Sequence, residues 1–173
     1  MLGEMTLTFD RLKSPGDAQA VVEFLVGNEW PFHSASRLTL DGAAAVNVFD
    51  GDVATFWIRE DGHSLGLVRL FDLDDVEDGS PLFDLRIAEG HRGRGIGRQA
   101  VRWLTNHLFS TYPVLHRIEA TTRHDNLPMQ AVFAHCDYRL EGRLLEAWRN
   151  ADGTRCDTLV YAILRSEHTT RST

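Results

Sequence analysis

The chain has 173 residues, 43% of them hydrophobic and 25% charged, which are the proportions of a soluble globular protein with mass enough for one real core. Its 25 acidic and 18 basic side chains leave a net charge of −7, which argues against a nucleic-acid backbone as partner and fits a cationic partner or simple solubility. No apolar run approaches the roughly 20 residues that span a bilayer, "MLGEMTLTFD" has no leader pattern, and Cys136 and Cys156 lack metal spacing, so the expectation is a cytoplasmic protein with reduced thiols, no membrane anchor and no metal.

Ser14, Pro15 and Asp17 form a helix-start signature. Ala18, Val21, Val22, Leu25 and Val26 come next at helical spacing, and Gly27 is a natural terminator, which predicts an amphipathic helix over 14–30. A weaker helix is expected around 34–46. The runs on either side of Asp61-Gly62 predict a β-hairpin over 53–71 with a type I′ turn. The acidic run 72–80 reads as a solvated loop or as an acidic rim for an amine.

Strand 81–87 is next, then a helix over 96–109 carrying Ile96, Ala100, Val101, Leu104 and Leu108 on one face. Strand 116–122, a helix over 126–136 and strands 139–149 and 154–164 complete the order, ahead of a polar, frayed tail from 166. The predicted fold is one α+β domain over residues 1–165. Its sheet is mixed and mostly antiparallel, with helix 96–109 linking strands 81–87 and 116–122 as a right-handed parallel crossover.

The most informative stretch is "HRGRGIG" at 91–97, directly before a predicted helix. Helix N-termini expose unpaired N–H groups and partial positive charge, and glycines remove the Cβ atoms that would keep phosphate away. Arg92 and Arg94 would add charge-assisted bonds. A pyrophosphate ligand at 92–98 is one reading; a bare, glycine-rich helix start is the other. Neither the ATP-type P-loop pattern nor G-x-G-x-x-G is present, since Arg98 stands where the last glycine would be.

"HRGRGIGRQA" after a strand closely resembles the R-G-x-G-[IVLA]-G acetyl-CoA loop of the GNAT family of N-acetyltransferases. "IEATT", Asn126 and "FAHCDY" match the segments that come after that loop in the family. "LEGRLLEAWRNADGTRCDTLVYAIL" looks like the branch containing ribosomal-protein N-terminal and spermidine acetyltransferases. The similarity runs over about residues 6–165. It implies a central, splayed parallel strand pair flanked by helices. It also implies transfer of acetyl from acetyl-CoA to a primary amine, which would be a protein N-terminus, polyamine, amino sugar or small metabolite. A homodimer is a further implication, because members of that branch commonly associate.

Carried over by position, the resemblance implies that amides of Arg92, Gly93, Arg94, Gly95, Ile96, Gly97 and Arg98 hold the diphosphate. Strand 85–88 would pair with the pantetheine arm, and an amide of Ile87 or Ala88 would serve the thioester oxygen. Asn126 is either a contact to that arm or a plain helix cap. Asp84 is the first choice for the base, directly or through water; the alternative is a strand-surface Asp paired with Arg86. Glu29 and His33 are lesser candidates for the base. Glu29, Trp30, Phe32 and His33, in "NEWPFH", are expected to border the acceptor together with Asp84 and Arg86; Phe56, Trp57 and Trp148 read as lining or as core.

Two departures stand out. Phe133 occupies the position of the tyrosine that many members are proposed to use to protonate the leaving sulfur, and Met129 stands where the branch often has serine. A donor from Cys136, Tyr138 or water is one consequence. A catalytically silent acyl-CoA-binding module is the rival reading, and a nucleotide-binding protein using the same loop is a third.

Overall fold

The computed structural model describes residues 6–13, 15–48, 51–74, 76, 77 and 79–171. Ser14, and Asp75 and Asp78 of the acidic run, lie outside the described residues. Helix α1 spans Pro15–Val26. Asp17 accepts from the Lys13 N–H at 2.9 Å, which fixes the chain as it enters the helix. Val21 and Leu25 are fully buried, as the spacing predicts. The second helix is much shorter than expected: α2 is only Leu40–Ala44, started by Thr39, whose hydroxyl accepts from the Gly42 N–H at 3.1 Å.

Strands β2 (Ala54–Glu60) and β3 (His63–Phe71) form the predicted hairpin, and both turn residues, Asp61 and Gly62, have positive φ as a type I′ turn requires. Strand β4 (Leu82–Ile87) pairs antiparallel with β3. The sequence reading missed β1 (Thr8–Arg11), which pairs antiparallel with β2 on the outer edge of this sheet. Within the strand only Phe9 packs on the core, with Leu7 before it and Leu12 after it, a pattern too short to register as alternation. Trp57 and Leu67 pack towards α1, while Phe56, Ile58, Val68 and Leu70 pack in the cluster built on α3. The first sheet is therefore covered on both faces.

Helix α3 (Ile96–Thr111) buries the predicted stripe of Ile96, Ala100, Val101, Leu104 and Leu108. Strand β5 (Arg117–Arg123), helix α4 (Leu127–His135) and strands β6 (Arg139–Arg149) and β7 (Arg155–Leu164) come after it, and β5, β7 and β6 form a second antiparallel sheet. Here the expectation of one mixed sheet needs correction: β4 and β5 lie beside each other, yet no ladder joins them among the described residues. The splay is complete enough to make two antiparallel sheets with a seam between them.

The expected frayed tail is instead helix α5 (Arg165–Arg171). Its first residue explains this, because the Arg165 guanidinium donates to the carbonyls of Phe109, Tyr112 and Leu115 at 3.0, 2.6 and 2.7 Å. Phe109 is in the last turn of α3, Tyr112 is its C-cap and Leu115 lies in the loop that comes next, so the guanidinium fastens the tail to the end of that helix. No described helix is long and apolar enough to cross a membrane.

Candidate active site

A cavity of about 410 Å³ opens at the seam, where β4, the loop before α3, the start of α4 and the loop after α1 converge. One end is made of main chain. Gly93 and Gly95 have φ of +75° and +81°, in the left-handed region that side chains resist, and a Cβ at either would meet nothing within 4 Å. The backbone turn, not crowding, therefore asks for glycine. Gly95 begins α3 without a side-chain cap, and the first bond back to it comes from the Gln99 N–H at 3.2 Å. The N–H groups of Ile96, Gly97 and Arg98 precede that bond, so helix geometry leaves them without partners inside the helix. A diphosphate fits this end on three counts: bare donors, a helix's positive pole and Arg98 on the cavity wall.

The other two loop arginines are occupied differently from the sequence expectation. Arg92 lines the cavity, but its Nε donates to the Ile87 carbonyl at 3.0 Å and its NH2 to the Glu29 carbonyl, while its guanidinium lies 5.7 Å from the Trp30 ring centre. It ties the glycine loop to the loop after α1. Asn28 makes a parallel tie by accepting from the Glu89 N–H at 3.0 Å. Arg94 turns away onto Glu60 at 3.1 Å and the His91 ring at 3.0 Å, outside the cavity lining.

The other end is made of side chains. His33 lines the cavity, and its Nε2 is 2.9 Å from Asp84 Oδ1. Asp84 Oδ2 accepts from Arg86 Nε at 2.9 Å, and Arg69, its cross-strand partner on β3, stands 3.9 Å away. Burial alone would raise the Asp84 pKa. The His33 hydrogen bond and the Arg86 charge outweigh it and hold the carboxyl well below the usual range. So low a carboxylate is a poor acceptor for a proton from an amine but a good anchor for an imidazole. The expected Asp84–Arg86 pair is present, and a third member, His33, comes from 51 residues away in sequence. Trp30 is buried, held by its indole N–H on the Leu25 carbonyl at 2.8 Å, with the Arg86 guanidinium 5.1 Å from its ring centre.

Other predicted residues fall outside this cluster. The Glu29 side chain pairs with Arg37 and is absent from the cavity wall. The Ala88 N–H is already donated to the Leu65 carbonyl at 2.9 Å, which leaves Ile87 as the strand-end candidate. The Asn126 side chain caps α4 by accepting from the Met129 N–H at 3.2 Å, which is one of the two readings, and the residue also lines the cavity. Met129 lines it too, whereas Phe133 is buried against Tyr161 with ring centres 4.6 Å apart. Cys136 and Tyr138 lie in the core outside the cavity wall; burial raises the pKa of both, and the Tyr138 hydroxyl is engaged with Thr105 at 2.9 Å. Phe56 and Trp57 are core, and Trp148 is not in the wall either. Outside the cavity wall, His124, Asp125 and Cys156 bring ligand-type atoms within 4.8 Å of one another, but both Asp125 oxygens are held by Arg123, at 2.9 and 2.7 Å.

Comparison with known proteins points to one family. The model of the acetyltransferase (GNAT) family matches residues 21–138. N-acetyltransferase 8F1 of Rattus norvegicus is 30% identical over 86 residues, which are 47% of this chain and 39% of that relative's length. Among solved structures, a chimera of the Vibrio cholerae spermidine N-acetyltransferase SpeG with hSSAT superposes with a TM-score of 0.80 at 22% identity, over 95% of this chain and 99% of the other. The Vibrio cholerae spermidine N-acetyltransferase in complex with CoA and spermine gives 0.75 at 22% identity, over 94% and 98%. At that identity the likeness shows the fold. The chain belongs to the acetyltransferase (GNAT) family, whose acyl donor is acetyl-CoA.

Proposed function

We propose that the protein is an N-acetyltransferase that moves acetyl from acetyl-CoA to a primary amine by direct attack within one cleft. The observation that carries this reading is the meeting, on one strand, of a diphosphate-type loop and a His–Asp pair: β4 contributes Asp84 and Arg86 to one end and Ile87 to the other. Amides from Gly93 through Arg98 would hold the diphosphate, with Ile87 and Asn126 flanking the arm. Bound there, acetyl-CoA supplies an acyl group already activated as a thioester.

The chain's own residues must then deprotonate the amine. The tautomer of His33 that donates Nε2–H to Asp84 keeps a lone pair on Nδ1, which has no other partner. His33 is thus the proton acceptor, and Asp84 the positioning residue that fixes its tautomer and steadies the imidazolium. Arg86 and Arg92 add a positive field that disfavours an ammonium and favours the nucleophilic amine. Among the described residues lining the cavity none carries a hydroxyl or thiol, so the leaving group's proton comes from imidazolium His33 or from solvent.

The test is thiol release from acetyl-CoA against a panel of amines. Wild type should release CoA only when a primary amine is present. His33→Gln should lower kcat by about 100-fold or more while acetyl-CoA KM stays within about threefold. Acetyl-CoA binding without turnover on any amine would favour the silent acyl-CoA-binding module.

A further inference from the structure

We infer that the acceptor amine carries a carboxylate, bound by Arg86, so that the substrate class is amino acids and not polyamines. The inference rests on the acetyltransferase reading above and deepens it.

Three observations lead to it. First, among the described residues no aspartate or glutamate side chain lines the cavity. A polyamine brings one or more spare ammonium groups besides the one that reacts, and these need carboxylates or open aromatic faces. Of the two indole or phenyl rings in the wall, Trp30 already has two guanidinium groups within 6 Å of its ring centre, those of Arg86 at 5.1 Å and Arg92 at 5.7 Å, which leaves the single ring of Phe32 and no carboxylate for a spare ammonium. The described acids of the 72–80 run are absent from the wall as well.

Second, the acceptor end holds an excess of positive charge. Asp84 is a single carboxylate facing Arg86 at 2.9 Å and Arg69 at 3.9 Å, and it also takes the His33 hydrogen bond at 2.9 Å. Arg92, next to them on Trp30, is bonded to carbonyl oxygens only. Arg92 is exposed to solvent, but Arg86 and Arg69 are largely withdrawn from it and share one aspartate with His33, which leaves a place for a second anion.

Third, Arg86 keeps a donor in reserve. Its side chain is 13% exposed, its Nε is committed to Asp84, and its NH1 is buried with no hydrogen-bond partner. Such a group loses water's hydrogen bonds and gains nothing in return until a ligand arrives. Arg86 lines the cavity beside His33, the proposed proton acceptor, so an anion drawn to its guanidinium would set the amine of the same small molecule near the imidazole. The diphosphate does not answer this demand, because its donors are the amides at the opposite end.

A substrate-side experiment on the full chain tests the idea without disturbing the fold. Acetyl-CoA turnover is measured with α-amino acids, β-alanine and 4-aminobutyrate, each beside its amide, and with putrescine, spermidine and benzylamine. The best acceptor should be a free acid, and converting its carboxylate to the amide should lower kcat/KM by about 30-fold or more, as expected for one charge-assisted bond. Arg86→Gln should raise the KM of that acid by a similar factor and leave acetyl-CoA KM within about threefold. Equal turnover of acid and amide, or preference for spermidine, would overturn the inference while leaving the transferase reading in place. Absence of turnover with every amine would overturn both.

Discussion

The two ends of the cavity are built from different materials. The diphosphate end is made of consecutive backbone: two left-handed glycines, a helix start and the N–H groups behind it, all within residues 93–98. The acceptor end is assembled from side chains: His33 from the loop after α1 and Arg86 from β4 line it, and Asp84 from β4 with Arg69 from β3 stands behind them. A contiguous device suits a donor that every family member shares, whereas an assembled one can be changed a residue at a time. The first should therefore fail by losing cofactor affinity and the second by losing turnover or selectivity.

Gly95→Asp attacks the contiguous end most severely, placing a carboxylate where phosphate is to lie. Acetyl-CoA affinity, by calorimetry, should fall by about 100-fold or more. Unchanged affinity would break the contrast. Asp84→Asn attacks the other end: kcat should fall by about 100-fold with acetyl-CoA affinity nearly intact, and folding stability should drop by about 3 kcal/mol as Arg86 and His33 lose their buried counter-charge.

Gly66→Ala strikes both ends at once through β4. A Cβ there would lie 2.5 Å from the Arg86 carbonyl oxygen and 3.0 Å from the Ile87 side chain. Overpacking of this kind costs about 1–3 kcal/mol, and denaturant titration should show it together with weaker acetyl-CoA binding. A variant of wild-type stability would mean that β4 yields easily, and the two ends would then be less rigidly coupled than their shared strand implies.

Acid sharpens the same contrast. The Asp84 pKa is depressed in the folded state, so below the ordinary aspartate value of 3.8 the unfolded chain takes up a proton that the folded chain refuses. The stability that Asp84 contributes is thus fully present above that value and is lost as pH falls beneath it. Asp84→Asn, less stable at pH 7, should lose less than wild type between about pH 5 and pH 2.5 in thermal melts. Phe133→Tyr is the smallest perturbation. Because Phe133 lies in the core and not in the wall, restoring a hydroxyl should leave kcat within about threefold and cost about 1–2 kcal/mol for an unpaired buried group.

Legibility from sequence divides along the same line. The glycine loop, the α3 stripe and the Asp61-Gly62 hairpin are local patterns whose physics is complete within a few residues. Asp84 and Arg86 could be placed on one face of β4 from alternation alone. That His33 would close on Asp84, that Arg92 would clamp the Glu29 carbonyl, and that Arg69 would stand opposite Asp84 depend on register and loop path, which no short window contains. The splay between β4 and β5 is implied by the family resemblance, but its full extent, two separate sheets and not one mixed sheet, is a property of sheets twisting apart that neither strand's residues announce.

Whether the bare amides of the glycine loop grip the diphosphate can be read from an amide NMR titration with acetyl-CoA, since glycine resonances stand apart in the spectrum. If they do, the Gly93, Gly95 and Gly97 amides shift most, with Ile96 and Arg98 beside them. Shifts concentrated elsewhere, with these amides unmoved at saturation, would refute the assignment.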